Sequence, residues 1–195
     1  MSMEMNVAGR FGEQQRCGPT VRLLAVGLVA SVLASQAAAG RDSYHDLLVV
    51  YRCEVVHRLE RVYVSGNPAN DRDRFIAVTV PGHPHGYVQC IFHDHQTGLY
   101  CEAASGFWYD KPGTPRTFHQ PPAAIAALAR LGFDTDDSKG NFKIDFPVAA
   151  PPDFNAIADF ILRALHDGYG ARADSNLEFN APFAPNTPTT CIPVS

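Results

Sequence analysis

FIAVTVPGHPHGYVQCIFHDHQTGLYCEAA, residues 75–104, is the stretch on which the fold turns. It holds three short runs rich in β-branched and aromatic residues: 75–80 (FIAVTV), 87–93 (YVQCIFH) and 99–104 (LYCEAA). Pro81-Gly82 separates the first two, and Gln96-Thr97-Gly98 the last two. Runs of this kind between turn residues predict an antiparallel meander. Placing Cys90 opposite Cys101 sets Phe92 against Leu99 and centres the second turn on His95-Gln96. Cys90, Phe92, Leu99 and Cys101 then share one apolar face, while Gln89, His93 and Glu102 point the other way. A slip of one residue would mix the two faces, so the register and a Cys90–Cys101 bridge support each other.

Upstream, residues 44–64 (YHDLLVVYRCEVVHRLERVYV) fit two readings. Leu47, Tyr51, Val55, Leu59 and Val62 form one stripe at helical spacing, with Asp42 or Ser43 as a cap. The many valines, and the alternation around Arg52, Glu54, Arg58 and Glu60, suit a strand. Helix is the favoured reading, and Ser65-Gly66-Asn67-Pro68 ends the element in either case. Downstream, a Pro/Gly-rich loop over 110–122 leads through Pro121-Pro122 into a helix over 123–131. A strand over 142–148 follows, then a helix over 154–166, capped by Asp153 and ended by Gly168. Residues 181–195 (APFAPNTPTTCIPVS) read as a Pro/Thr-rich extended tail. The expected class is α+β: an antiparallel meander of three to five strands packed against two or three helices, forming one domain over 40–180.

Residues 1–39 have the layout of a secretory signal peptide. Arg16 and Arg22 precede an apolar run, LLAVGLVASVL at 23–33, and Ala37-Ala38-Ala39 offer small residues for cleavage before Gly40. The apolar run is shorter than the roughly 20 residues of a spanning helix. Cleavage there removes Cys17 and leaves four cysteines: Cys53, Cys90, Cys101 and Cys191. An even count in an exported chain suits a two-disulfide framework, and with Cys90 joined to Cys101 the remaining bridge ties Cys53 to Cys191. The expected compartment is periplasmic or secreted. Across 195 residues the net charge is -4, with 46% hydrophobic and 18% charged residues, an ordinary globular balance. That excludes a wholly disordered chain, and the acidic balance argues against nucleic acid as a partner.

Chemistry is sparse. His83-Pro84-His85 and His93-Asp94-His95 place four of the eight histidines within thirteen residues. An H-x-H pair on extended chain sends both imidazoles to one side, and neutral imidazole suits zinc or copper. A single site from His83, His85, His93 and His95 requires the loops at both ends of the middle strand to fold back, so polar turn residues with no cofactor are the favoured reading. G-x-S-x-G, H-E-x-x-H and phosphate-cradling glycine loops do not occur. Asp134, Asp136 and Asp137 lack the spacing and terminal Glu of a calcium loop and read as a solvated turn. Phe107, Trp108 and Tyr109 form an aromatic trio just after the third strand. Such a trio is either core or a contact surface for a partner.

The order helix, three strands, helix, strand, helix resembles the YbjN-like proteins, which share the fold of type III secretion chaperones. The similarity is closest over 131–165, where an acidic turn (DTDDSKG) leads into an alternating strand (NFKIDFPV) and a closing amphipathic helix. The resemblance implies a protein-binding role and brings no catalytic residues with it. The export signal, the paired cysteines and the Pro/Thr tail set this chain apart from a cytoplasmic chaperone. Together these readings predict an exported, disulfide-stabilised, non-enzymatic domain that binds a protein or peptide, chaperone- or inhibitor-like, with metal-dependent chemistry at the histidine pairs as the alternative.

Overall fold

Phe75–Thr79 (β1), Tyr87–His93 (β2) and Gly98–Ala103 (β3) form the meander, with Cys90 opposite Cys101, Phe92 opposite Leu99 and Gln89 opposite Glu102. The computed structural model describes residues 27–67, 72–83, 85–110, 114, 116–186 and 188–191, with side chains from Tyr44 onward, Thr189 excepted. Residues 1–36 and 37–195 form two compact units. Of the first, 27–36 is described, as helix, so the greater part of the expected leader lies outside the described residues. All that follows concerns the second unit. No helix among the described residues is long and apolar enough to cross a membrane.

Phe142–Pro147 (β4) adds to β3, and Glu178–Asn180 (β5) adds to β1. Every pairing is antiparallel, and the order is β4-β3-β2-β1-β5. Side-chain alternation puts Ile76, Val78, Val88, Cys90, Phe92, Leu99, Cys101, Ala103 and Phe142 on one buried face. Both edges are guarded against further pairing. Asp134 bridges Lys143 through two backbone hydrogen bonds of 2.7 and 3.1 Å, Pro147 has no N–H to offer, and β5 is three residues long.

The ambiguous segment is helix, within Gly27–Val64 (α1), and its buried apolar positions are the expected Leu47, Tyr51, Val55, Leu59 and Val62. The strand-like signal came from valines on the opposite side, where Val49, Val50 and Val64 are exposed. The C-terminal end of α1 is pinned to the meander. Arg74, just before β1, donates from Nε to the Ser65 carbonyl at 2.8 Å and from Nη2 to the Tyr63 carbonyl at 2.5 Å. Gln96 reaches the Tyr63 carbonyl from the β2–β3 turn at 2.7 Å. These donors satisfy carbonyls that a helix end leaves open, and the cation meets the negative end of the helix dipole.

Pro122–Arg130 (α2) begins at the Pro pair, as such helices do. Phe154–Tyr169 (α3) starts under Asp153, whose Oδ1 accepts from the Ala156 N–H at 3.0 Å. It does not stop at Gly168 as expected. It runs on to Gly170, which takes the left-handed conformation (φ 70°) of a C-terminal stop. Gly168 serves packing instead: a Cβ there would stand 2.9 Å from Leu128 Cδ2, so its bareness lets α2 and α3 close together.

The tail is also corrected in part. After β5, which the sequence reading missed, Ala181, Ala184 and Pro188 are buried. Buried Arg58 donates to the Ala184 carbonyl, pairs with Glu54 at 2.6 Å and lies 4.8 Å over the Phe179 ring. Cys191 joins Cys53 (S–S 2.00 Å), as Cys90 joins Cys101 (2.08 Å). Residues 192–195 lie outside the described residues. The fold is α+β, helices on one side of a five-stranded antiparallel sheet, with both expected disulfides; such bridges are compatible with an oxidising compartment.

Candidate functional site: an exposed aromatic patch

The chain leaves β3 through Ala104, Ser105 and Gly106, all buried, and then turns outward. This exit is heavily hydrogen-bonded. The Ala104 carbonyl accepts from Tyr169 Oη at 2.8 Å and from Gln120 Nε2 at 3.0 Å. Ser105 Oγ donates to the Gly140 carbonyl at 2.8 Å and accepts from the Phe107 N–H at 3.1 Å. Gly106 has φ 86°, and a Cβ there would sit 2.3 Å from the Phe118 ring. Glycine is thus required both for the left-handed turn and for the close approach of Phe118.

Asp110 closes the far side of the loop. Its carboxylate accepts from the Thr117 N–H and from Thr117 Oγ1, each at 2.6 Å, and these bonds lower its pKa. Arg116 pairs with Asp137 at 2.8 Å and lies 5.7 Å from the Phe107 ring centre. These bonds hold the described residues at the two ends of the loop, 105–110 and 116–118, and such ordering before binding favours affinity.

Those side chains are aromatic and open to water. Trp108, the single tryptophan of the chain, is 67% exposed, and Tyr109 is 53% exposed. Phe107 meets Trp108 edge-on with ring centres 4.7 Å apart. Tyr109 meets His85 at 4.5 Å and Phe118 at 5.8 Å, and His85 lies 5.4 Å from Phe118. The ring contacts described form two groups, Phe107 with Trp108 and Tyr109 with His85 and Phe118, and the second joins the loop after β3 to the β1–β2 turn. Of the trio, Phe107 is half-buried, so its members split between support and display.

The structure does not gather the four histidines. His83 packs edge-on against Tyr169 at 5.6 Å, and His85 belongs to the aromatic patch. His93 is the last residue of β2 and His95 lies just past it, at the other end of a strand of seven residues spanning ~20 Å at ~3.3 Å per residue. His93 crosses Gly98 to reach Asp145 Oδ1 on β4 at 2.8 Å and also faces Asp94 Oδ2 at 3.2 Å. A Cβ at Gly98 would lie 2.5 Å from that ring, so glycine opposite His93 makes the crossing possible. Burial alone would lower the His93 pKa, but the two carboxylates outweigh it and the net direction is upward. His95 is exposed. Among the described residues no three His, Cys, Asp or Glu side chains are grouped to hold a metal ion.

The face of the sheet away from the helices carries a second polar network. Tyr100 Oη donates to Glu102 Oε1 at 2.8 Å, and Asn141 Nδ2 donates to Tyr87 Oη at 2.6 Å and to Glu102 Oε2 at 3.4 Å. Burial, then the Glu102 carboxylate, push the Tyr100 phenol up to about 12. The network fixes the turn at Asn141 against the sheet.

The sequence reading named Phe107, Trp108 and Tyr109, of which Trp108 and Tyr109 are exposed; it did not name His85 or Phe118, which meet Tyr109, or buried Gly106, which admits Phe118. The available signal was Gly106 directly before an aromatic run, with Asp110 and Thr117 placed to close a loop. No family model, curated protein or solved structure matches the chain.

Proposed function

We propose that the chain is an exported, disulfide-stapled binding domain of the periplasm or the extracellular medium. It recognises a protein or peptide partner through Trp108, Tyr109 and His85, backed by Phe118 and Phe107. The observation that carries this reading is the exposure of Trp108 on a tightly hydrogen-bonded loop. A large apolar side chain left in water on a rigid frame costs solubility and contributes little to the core, whereas aromatics in fixed positions dominate interface energetics. The two disulfides favour export, and the resemblance in element order to YbjN-like proteins favours protein binding over catalysis.

The test is a peptide library selected on the oxidised protein, with the best binders measured against Trp108→Ala. An interface hot spot contributes ~2 kcal/mol or more, so affinity should fall about 30-fold. Unchanged affinity across all selected peptides would remove Trp108 from the site and overturn the reading.

A further inference from the structure

The two disulfides occupy opposite environments. Cys90 and Cys101 sit in the middle of the β2–β3 ladder, 2% and 0% exposed. Cys53 is exposed and Cys191 half-buried. At 3.6 residues per turn, Cys53 stands about 180° around α1 from the mean direction of its buried stripe. The C-terminal segment meets α1 first on the buried side, where Leu177 N–H donates to Tyr51 Oη at 3.3 Å and Arg58 holds the Ala184 carbonyl. From there it passes to the outer face and ends at Cys53. It thereby forms one wall of a groove of about 510 Å³, whose other walls include Leu48, Val49, Val56 and His57 on α1 and Asn155 on α3.

Beyond Ala184 the described residues are lightly held. The hydrogen bond described there stays inside the segment, from the Cys191 N–H to the Pro188 carbonyl at 3.1 Å. Pro185 and Pro188 have no N–H to donate, and Pro185, Asn186 and Thr190 are exposed. Among the described residues, burial of Pro188 and the disulfide fasten it. Opening such a segment is a local event, whereas exposing Cys90–Cys101 requires the sheet to part.

We propose that Cys53–Cys191 is a reducible clasp: a dithiol reductant opens it while Cys90–Cys101 stays oxidised, freeing the segment after Ala184 and baring the outer face of α1. A thiolate of the reductant attacks Sγ of Cys53, the more exposed residue of the pair, forming a mixed disulfide as the Sγ–Sγ bond breaks. Cys191 leaves as a thiolate and takes a proton. The second thiol of the reductant then attacks its partner sulfur, releasing the Cys53 thiolate, which is also protonated. Two cysteines are reduced and the dithiol becomes a disulfide. β5 remains paired with β1, so the domain keeps its sheet.

The experiment treats the folded, oxidised protein with graded dithiothreitol, quenches with an alkylating reagent and maps the labelled cysteines by mass spectrometry. Hydrogen exchange is read on the same samples. Cys53 and Cys191 should be labelled on the order of 100-fold faster than Cys90 and Cys101, as local opening precedes global opening. Protection should be lost at the Cys191 amide, which donates to the Pro188 carbonyl, and kept in β1, β2 and β3. A folded Cys53→Ser/Cys191→Ser variant should show the same exchange pattern without reductant. Concerted reduction of both bridges, earlier labelling of Cys90 and Cys101, or selective reduction that leaves the C-terminal segment protected would each overturn the proposal. The wild-type titration decides the matter even if the double variant fails to fold.

Discussion

Replacing Arg74 by alanine tests how the helical layer is fastened to the sheet. Arg74 is 1% exposed and gives two charge-assisted hydrogen bonds to the last carbonyls of α1. Each such bond contributes ~1.5–3 kcal/mol, and the cation at a helix C-terminus adds ~0.3–1 kcal/mol. Against this stands the cost of burying a guanidinium, which the substitution removes. Gln96 still serves the Tyr63 carbonyl in the variant, while the Ser65 carbonyl loses its Arg74 donor. The net loss worked from these values is about 3 kcal/mol, or roughly 6–12 °C in Tm at the ~2–4 °C per kcal/mol of a chain this size. Arg74→Met fills most of the volume without the donors and should lose about 2 kcal/mol. The assay is guanidinium unfolding with both disulfides intact, followed by far-UV circular dichroism, with hydrogen exchange at the end of α1. A loss below about 1 kcal/mol for Arg74→Ala would refute the reasoning, because it would mean that burial of the cation cancels what its bonds contribute.

Three further substitutions have defined outcomes. His93 has a folded pKa raised above its ordinary value of 6.5, since the Asp145 and Asp94 carboxylates outweigh burial. Its contribution to stability is therefore full below about 6.5 and is lost as pH rises through the higher folded value. Unfolding midpoints measured from acid to alkaline side of neutrality should fall less steeply in His93→Gln, and identical slopes would contradict the pairing. Gly106→Ala forces a left-handed alanine, costing ~1–2 kcal/mol, and drives its Cβ into Phe118. It should lose peptide affinity along with stability, whereas Trp108→Ala should leave the unfolding midpoint within about 0.5 kcal/mol of wild type.

Much of this fold was legible because the cysteines and the apolar face agreed on one register. The pairs Cys90–Cys101 and Phe92–Leu99 follow from period-two alternation, which a half-buried sheet enforces. The buried stripe of α1 was legible for the same reason at period 3.6; Val55 and Val62 belong to it, while Val49, Val50 and Val64 face away from the core. Gly168 misled because glycine ends helices by its backbone freedom, whereas here its missing side chain admits Leu128. β5 is three residues among Glu178 and Asn180; it exists because β1 offers an edge, which local composition does not report. The Leu177, Phe179, Ala181 alternation was the faint signal for it. Of the candidate site, the exposed pair was visible as an aromatic run, but His85 joins it through the β1–β2 turn, a tertiary contact no local pattern carries.

The most direct test of the central claim uses the chain's own single tryptophan as reporter. Collisional quenching of Trp108 fluorescence should be efficient in the free protein, since the side chain is 67% exposed, and should drop when a selected peptide is bound. A tryptophan already shielded in the free protein, or one equally open to quencher with the peptide bound, would contradict the account.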